Sequence, residues 1–292
     1  MFQRCLICTD FSDGLHRLIN FVPSLAIGGI QQIVFVHSVP LWEEGEVPRV
    51  DTKKVKKAEA YLSQALKNVP EGVEVHIEVP SGRPTETIPR VLKKYPVDVI
   101  FTGTPIRSLL AEKMFGSTSV SLAKSTPLPL MMLRPQLISA YTNEELELRC
   151  QHLWRYLLIP YNDSETAHYL IEQVKHYAQT GSEQSFQQCM LLSVIDDAAK
   201  RSTPLDYRVK SATERIEKVK AELEELGLQV NAEVRVGNPL LETLDAALMF
   251  DISAIAIGSK YRSTLLEWTA PSFANEVMRR SWHPVVFFSP KK

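Results

Sequence analysis

The chain has 292 residues, 45% of them hydrophobic and 23% charged, with a formal charge of -1. This length suits two domains of ordinary size, and the composition excludes disordered and fibrous classes. The charge balance provides no field to attract nucleic acid or an anionic membrane surface, and no run reaches the roughly 18 apolar residues of a membrane span.

The first predicted element is a strand at 4–9, Arg-Cys-Leu-Ile-Cys-Thr. It carries Cys5 and Cys8, which at that spacing on a strand point to opposite faces and so read as buried thiols rather than half a metal site. The strand runs into Asp10-Phe-Ser12-Asp13, where an aspartate sits beside a good capping serine. These residues leave two readings open: a helix cap, or a carboxylate that also accepts hydrogen bonds from a base or ribose. A second strand is predicted at 32–39 and contains His37 and Ser38; His37 reads as a satisfied core histidine. Val55, Ala58, Leu62, Ala65, Leu66 and Val69 then form an apolar helical stripe, with Lys53, Lys54, Lys56 and Lys57 on the solvated side.

Strands follow at 73–79 and 97–103. The fourth ends on Gly103, and Gly116-Ser117-Thr118 opens a helix predicted over 117–125. Glycine after a strand allows close backbone approach, and a Gly-Ser-Thr helix start offers N–H groups and hydroxyls to an anion. Neither the P-loop nor the dinucleotide fingerprint is present. A fifth strand is predicted at 128–134, followed by the polar segment 142–149, read as part of a linker.

The pattern then begins again, with strands predicted at 154–160, 187–195, 229–235, 252–258 and 284–288. Val209, Ala212, Ile216, Val219, Leu223 and Leu226 form a second stripe closed by Gly227. The two halves correspond residue by residue. Gly82-Arg-Pro84 recurs as Gly237-Asn-Pro239, Gly103 as Gly258, Arg107-Ser108 as Arg262-Ser263 and Ser117 as Ser272, all separated by 155 positions. The first strands and their loops match at 152, which aligns Asp10 with Asn162 and Ser12 with Ser164. Strands alternating with helical stripes imply parallel sheets with helical crossovers, five strands per half.

On these residues the chain resembles a tandem universal stress protein. ATP-binding members of that family carry an Asp after strand one and, after strand four, a Gly, two residues, a Gly, nine residues, then Gly and Ser or Thr. Asp10, Gly103, Gly116 and Ser117 stand at matching positions, and Ser38 falls where a valine commonly faces the adenine. Ile106 replaces the second glycine, and its branched side chain points into space that a close phosphate chain needs. In the second half Val194 fits the adenine wall, but Asn162, Tyr261 and Pro271 replace the aspartate and two glycines; Pro271 also lacks an N–H.

The resemblance implies two Rossmann-like or flavodoxin-like α/β domains of the adenine nucleotide alpha hydrolase type, each with flanking helices, packed as a pseudo-dimer. The boundaries are 1–139, a linker at 140–150, and 151–292. It implies a cytoplasmic stress-response protein, a regulatory or adaptor module with a degenerate adenine-nucleotide site in the first domain. ATP, with Mg, is the implied ligand, held by Asp10, Ser38, Gly103, Gly116, Ser117 and Thr118. An unknown protein partner, intramolecular pairing of the fifth strands and optional homodimerisation belong to the same expectation; nucleic acid and membranes do not. The alternative is an interaction protein of this fold that binds no nucleotide.

No enzyme is expected, with ATP hydrolysis at most slow. The seven histidines show no paired metal spacing, Gly-x-Ser-x-Gly is absent, and Asp196-Asp197 reads as a solvated acidic loop.

Overall fold

A computed structural model describes residues 1–12, 14–42, 48–103, 117–181, 186–198, 203–259 and 272–288. The chain divides into two compact units, Phe2–Gln151 and His152–Lys292, the latter together with Met1.

In the first unit β1 (Arg4–Cys8), β2 (Gln32–Val36), β3 (Glu74–Glu78), β4 (Val99–Gly103) and β5 (Leu130–Leu133) form a parallel sheet in the order β3-β2-β1-β4-β5. The middle strands are apolar on both faces, as a sheet covered by helices on each side requires. Every residue of β2 is buried, and Leu6, Ile7, Phe35 and Phe101 are sealed from solvent. The second strand stops at Val36, so His37 and Ser38 lie just beyond its end rather than inside it.

The helices of this unit are α1 (Val22–Ile27), α2 (Thr52–Leu62), α3 (Pro84–Lys94), α4 (Ser117–Ser125), α5 (Pro135–Ala140) and α6 (Asn143–Gln151). The expected stripe on α2 holds through Ala58, Leu62 and Ala65. After Leu62 the helix tightens into a 3-10 turn, and Leu66 is left 50% exposed. The change from 3.6 to 3 residues per turn rotates that side chain off the core face. The polar segment read as linker contains α6, whose Leu146 and Cys150 are buried. It packs against α1, where a Cβ on Gly28 would stand 2.6 Å from the Cys150 carbonyl oxygen, so only glycine allows the approach.

The second unit repeats the plan. Here β6 (Tyr156–Pro160), β7 (Gln188–Ile195), β8 (Gln229–Val236), β9 (Ala254–Gly258) and β10 (Val285–Phe288) run parallel in the order β8-β7-β6-β9-β10. They carry α7 (Glu165–Thr180), α8 (Leu205–Glu224), α9 (Pro239–Met249) and α10 (Phe273–Arg280). Ala212, Ile216, Val219 and Leu223 of the α8 stripe are buried.

The repeated Gly-x-Pro sequences do the same work in both units. Gly82 and Gly237 take φ of 128° and 154°, which side-chain-bearing residues rarely adopt, and Pro84 and Pro239 open α3 and α9. In the second unit the middle residue contributes further: Asn238 Oδ1 accepts from the Leu240 and Leu241 amides at 3.0 and 3.1 Å.

In both sheets the strand order reverses beside the first strand, between β1 and β4 and between β6 and β9. The crevice beyond the carboxyl ends of those strands is where an open parallel sheet receives ligands.

Candidate functional site

In the first unit the loop after β1 is held by its own side chains. The Asp10 Oδ1 accepts from the Ser12 amide at 2.8 Å and from the Ser12 hydroxyl at 2.7 Å, and Thr9 Oγ1 accepts from the Phe11 amide at 3.0 Å. Neither Asp10 nor Ser12 caps the following 3-10 helix, Leu15–Asn20; its cap position is Gly14, with φ 74° and no side-chain bond. The turn places Phe11 at φ 65°, a left-handed conformation for a residue with a bulky side chain.

That conformation throws the Phe11 ring onto His37, with centroids 4.1 Å apart, and against Tyr61 of α2 at 5.3 Å and His16 at 6.1 Å. No local pattern links the members of this aromatic group, because they come from separate segments. His37 is fixed by its Nδ1, 2.8 Å from the Thr9 carbonyl oxygen. The Nδ1 of His16 is sealed and has no partner among the described residues. Burial, then the neighbouring Arg17 charge, holds the His16 pKa below the usual histidine value.

The other expected residues lie along the same carboxyl edge. Ser38 shares a 2.6 Å hydrogen bond with Thr87 of α3, so its hydroxyl ties the wall to that helix. Gly103 closes β4, Ser117 opens α4, and Thr118 is half-buried in the first turn. Gly116 and Ile106 lie outside the described residues, as do Tyr261 and Pro271. Beside Gly103, the buried Thr102 has its Oγ1 unpartnered among the described residues. A hydroxyl sealed without a partner marks a place where an acceptor or donor is missing.

The equivalent loop of the second unit has the same backbone and different chemistry. Asn162 Oδ1 accepts from the Ser164 amide at 3.3 Å, repeating the Asp10 turn, and Asp163 takes φ 59°. Asp163 stands where Phe11 does. Its Oδ1 accepts from the Tyr161 hydroxyl at 3.0 Å and lies 3.0 Å from His168 Nε2, while Oδ2 is 3.3 Å from Arg215 Nε of α8. Burial, then the bond to Asp163, raises the Tyr161 phenol well above its usual pKa.

Two adjoining cavities open beside this loop. One of about 410 Å3 lies beyond β6, β7 and β9, with Leu170, Val194, Ala256 and Phe287 among its walls. The other, of about 470 Å3, is polar and is bounded by Asp163, Asp196, Arg208 and Arg215. Tyr161, Asn162, Val194 and Pro239 line both. The start of α7 is closed by Ser164, which accepts from the Ala167 amide at 3.2 Å, and that of α10 by Ser272, which accepts from the Asn275 amide at 3.2 Å.

Elsewhere the chemistry is quiet. The four cysteines are free and buried, and burial lifts the thiols of Cys150 and Cys189 to about 12 and that of Cys5 higher still. Asp196 turns its Oδ1 to the Ala198 amide at 3.0 Å. Among the described residues no group of three or more His, Cys, Asp or Glu could hold a metal, and no helix is long and apolar enough to cross a membrane.

Comparison with known proteins places this architecture. No curated protein matches the chain in sequence. A universal stress protein from Archaeoglobus fulgidus DSM 4304 superposes with TM-score 0.68 at 17% identity, covering 99% of this chain and 98% of its own. A putative universal stress protein from Pseudomonas aeruginosa UCBPP-PA14 does so with TM-score 0.57 at 14% identity, covering 99% and 94%. A family member from Arabidopsis thaliana, solved with AMP bound, covers 47% of this chain and 92% of its own at 16% identity and TM-score 0.34. The profile of the universal stress protein family matches residues 1–134 and again 154–289, one match on each five-stranded unit. With both repeats matched and each folded as a Rossmann-like sheet, the chain belongs to the universal stress protein family as a tandem, two-domain member.

Proposed function

We propose that the chain is a regulatory stress-response module whose first unit takes an adenine nucleotide in the crevice between the carboxyl ends of β1 and β4. The observation that carries this reading is the gathering of Asp10, Gly103, Ser117 and Thr118 on one sheet edge, at the strand-order reversal, beside a buried Thr102 hydroxyl that lacks a partner among the described residues. Asp10 has a second carboxylate oxygen with which to accept from a ribose or base. Gly103 and Gly116 let the backbone approach, and Ser117 and Thr118 supply donors to phosphate, with Mg balancing its charge. Ligand at this edge changes the surface that residues 103–118 present to a protein partner. Hydrolysis, where it occurs, is slow and incidental.

The test is calorimetric titration of the nucleotide-stripped protein with ATP and magnesium, on wild type, Asp10→Ala and Ile106→Gly. One-site binding, weakened at least about tenfold in Asp10→Ala and strengthened in Ile106→Gly, supports the reading, since hydrogen bonds to charged groups contribute about 1.5–3 kcal/mol. Silence up to millimolar ATP in all three overturns it. That result would favour the second reading, an interaction protein that binds no nucleotide, in which the two bonds from Ser12 to Asp10 Oδ1 are the whole task of that carboxylate.

A further inference from the structure

The second unit has lost the features that suit a phosphate chain, yet two adjoining cavities open in it. At its helix starts Ser164 and Ser272 each take up one of the free amides, and Pro271 has no N–H to offer. An anion therefore meets fewer free donors on the α10 side than a Gly-Ser helix start supplies. The cavity of about 410 Å3 is nevertheless within the range of small-molecule sites, and Leu170, Val194, Ala256 and Phe287 make its walls apolar.

Across Tyr161 and Val194 lies the polar cavity, and there a positive charge is short of partners. Arg215 is engaged by Asp163, and the Asp196 carboxylate by its own loop. Arg208 makes one long contact, NH1 to the Asp196 carbonyl oxygen at 3.4 Å, and its sealed Nε has no acceptor among the described residues. A guanidinium has five donors in a planar fork that matches a carboxylate, and among the described residues one long contact engages this one.

We infer that the second unit is a binding site for a small organic anion with an apolar body, the body seated among Leu170, Val194, Ala256 and Phe287 and the acidic group on Arg208. The ligand enters with its charge toward α8, away from the side where Gly258 and Ser272 correspond to the phosphate-binding positions of the first unit. Its acid accepts from the terminal nitrogens of Arg208, and its body excludes water from the cavity. The Asp163 cluster holds the loop between the two parts, since it ties Tyr161, a wall of both cavities, to α8 through Arg215.

The test uses 2-naphthoate and its uncharged counterpart 2-naphthalenemethanol as probes, titrated calorimetrically into the full chain. Wild type should bind naphthoate about tenfold or more tightly than the alcohol. Arg208→Gln should remove that preference while leaving the affinity for the alcohol unchanged. Thr166→Trp, at a half-buried position on the rim of the apolar cavity, should abolish binding of both probes. Circular dichroism and urea midpoints equal to wild type show that the variants are folded. Absence of binding by either probe at millimolar concentration, equal affinity for the two, or naphthoate binding unaltered by Arg208→Gln overturns the inference. Displacement of naphthoate by ATP does so too, by assigning the cavity to nucleotide. The ATP titration that reports on the first unit should be the same in both variants, so either proposal can fail without the other.

Discussion

The loops Thr9–Ser12 and Tyr161–Ser164 are one backbone built twice. Each follows the first strand of its sheet, turns on an Asp or Asn that accepts from the amide two residues on, and carries a residue at φ near 60°. In the first unit that residue is Phe11, which fills its surroundings with a ring packed on His37 and Tyr61. In the second it is Asp163, which draws Tyr161, His168 and Arg215 together by charge and hydrogen bonding. A repeat thus conserves the path of the chain while exchanging what holds it. The same turn therefore presents an aromatic side chain in one unit and a carboxylate in the other.

The contrast can be broken most sharply at Asp163. Asp163→Ala leaves the Tyr161 hydroxyl, on a residue only 4% exposed, without its acceptor, and should destabilise the second unit by about 1–3 kcal/mol in urea unfolding. Phe11→Ala removes ring contacts but no polar partner, and should cost the first unit about 0.5–1.5 kcal/mol in the same measurement.

Salt separates the loops further. Between about 0.01 and about 1 M salt the screening length falls from ~30 to ~3 Å. The Asp163 side chain is 37% exposed, so screening should weaken its pairings by up to about 1 kcal/mol. A Phe11→Ala effect that moved equally with salt would contradict the aromatic account of the first loop.

The smallest effect is that of pH on His16. Its pKa in the fold lies below the usual value of 6.5, through burial and then Arg17, so folding favours the neutral ring. The first unit should keep this contribution in full above about pH 6.5 and lose it gradually as pH falls toward the lowered value. The urea midpoint should decline on acidification through that window, and His16→Gln should flatten the decline.

All ten strands were legible as apolar runs between turn signals, each observed strand falling inside its predicted span or within one residue of it. The helical stripe on α8 was equally plain, whereas the 3-10 turn that exposes Leu66 was not. It preserves the spacing of apolar letters while changing the rotation per residue. Asp10, Gly103 and Ser117 could be read because strand ends and helix starts are local signals. Phe11 with Tyr61, and Asp163 with Arg215, could not, since each pair is some fifty residues apart with no shared periodicity. One clue was available: the offset that aligns Asp10 with Asn162 also aligns His16 with His168, so a ring recurs beside both loops. The second unit reads as stripped of its phosphate contacts because attention to glycine positions follows backbone approach. The volume left by Val194, Ala256 and Phe287 depends on how separate segments pack, which those positions do not encode.

The burial of every cysteine has a consequence for a protein of this family. A thiol shut away from solvent is out of reach of reagents, and burial also keeps those of Cys5, Cys150 and Cys189 protonated, so peroxide and electrophiles should pass the native fold by. Reaction must wait for local or global opening. Cys5, Cys8 and Cys150 lie in the first unit and Cys189 alone in the second. Alkylation under native conditions, followed residue by residue in a mass spectrometer, therefore times the opening of each half separately, with the chain's own sulfur as the clock.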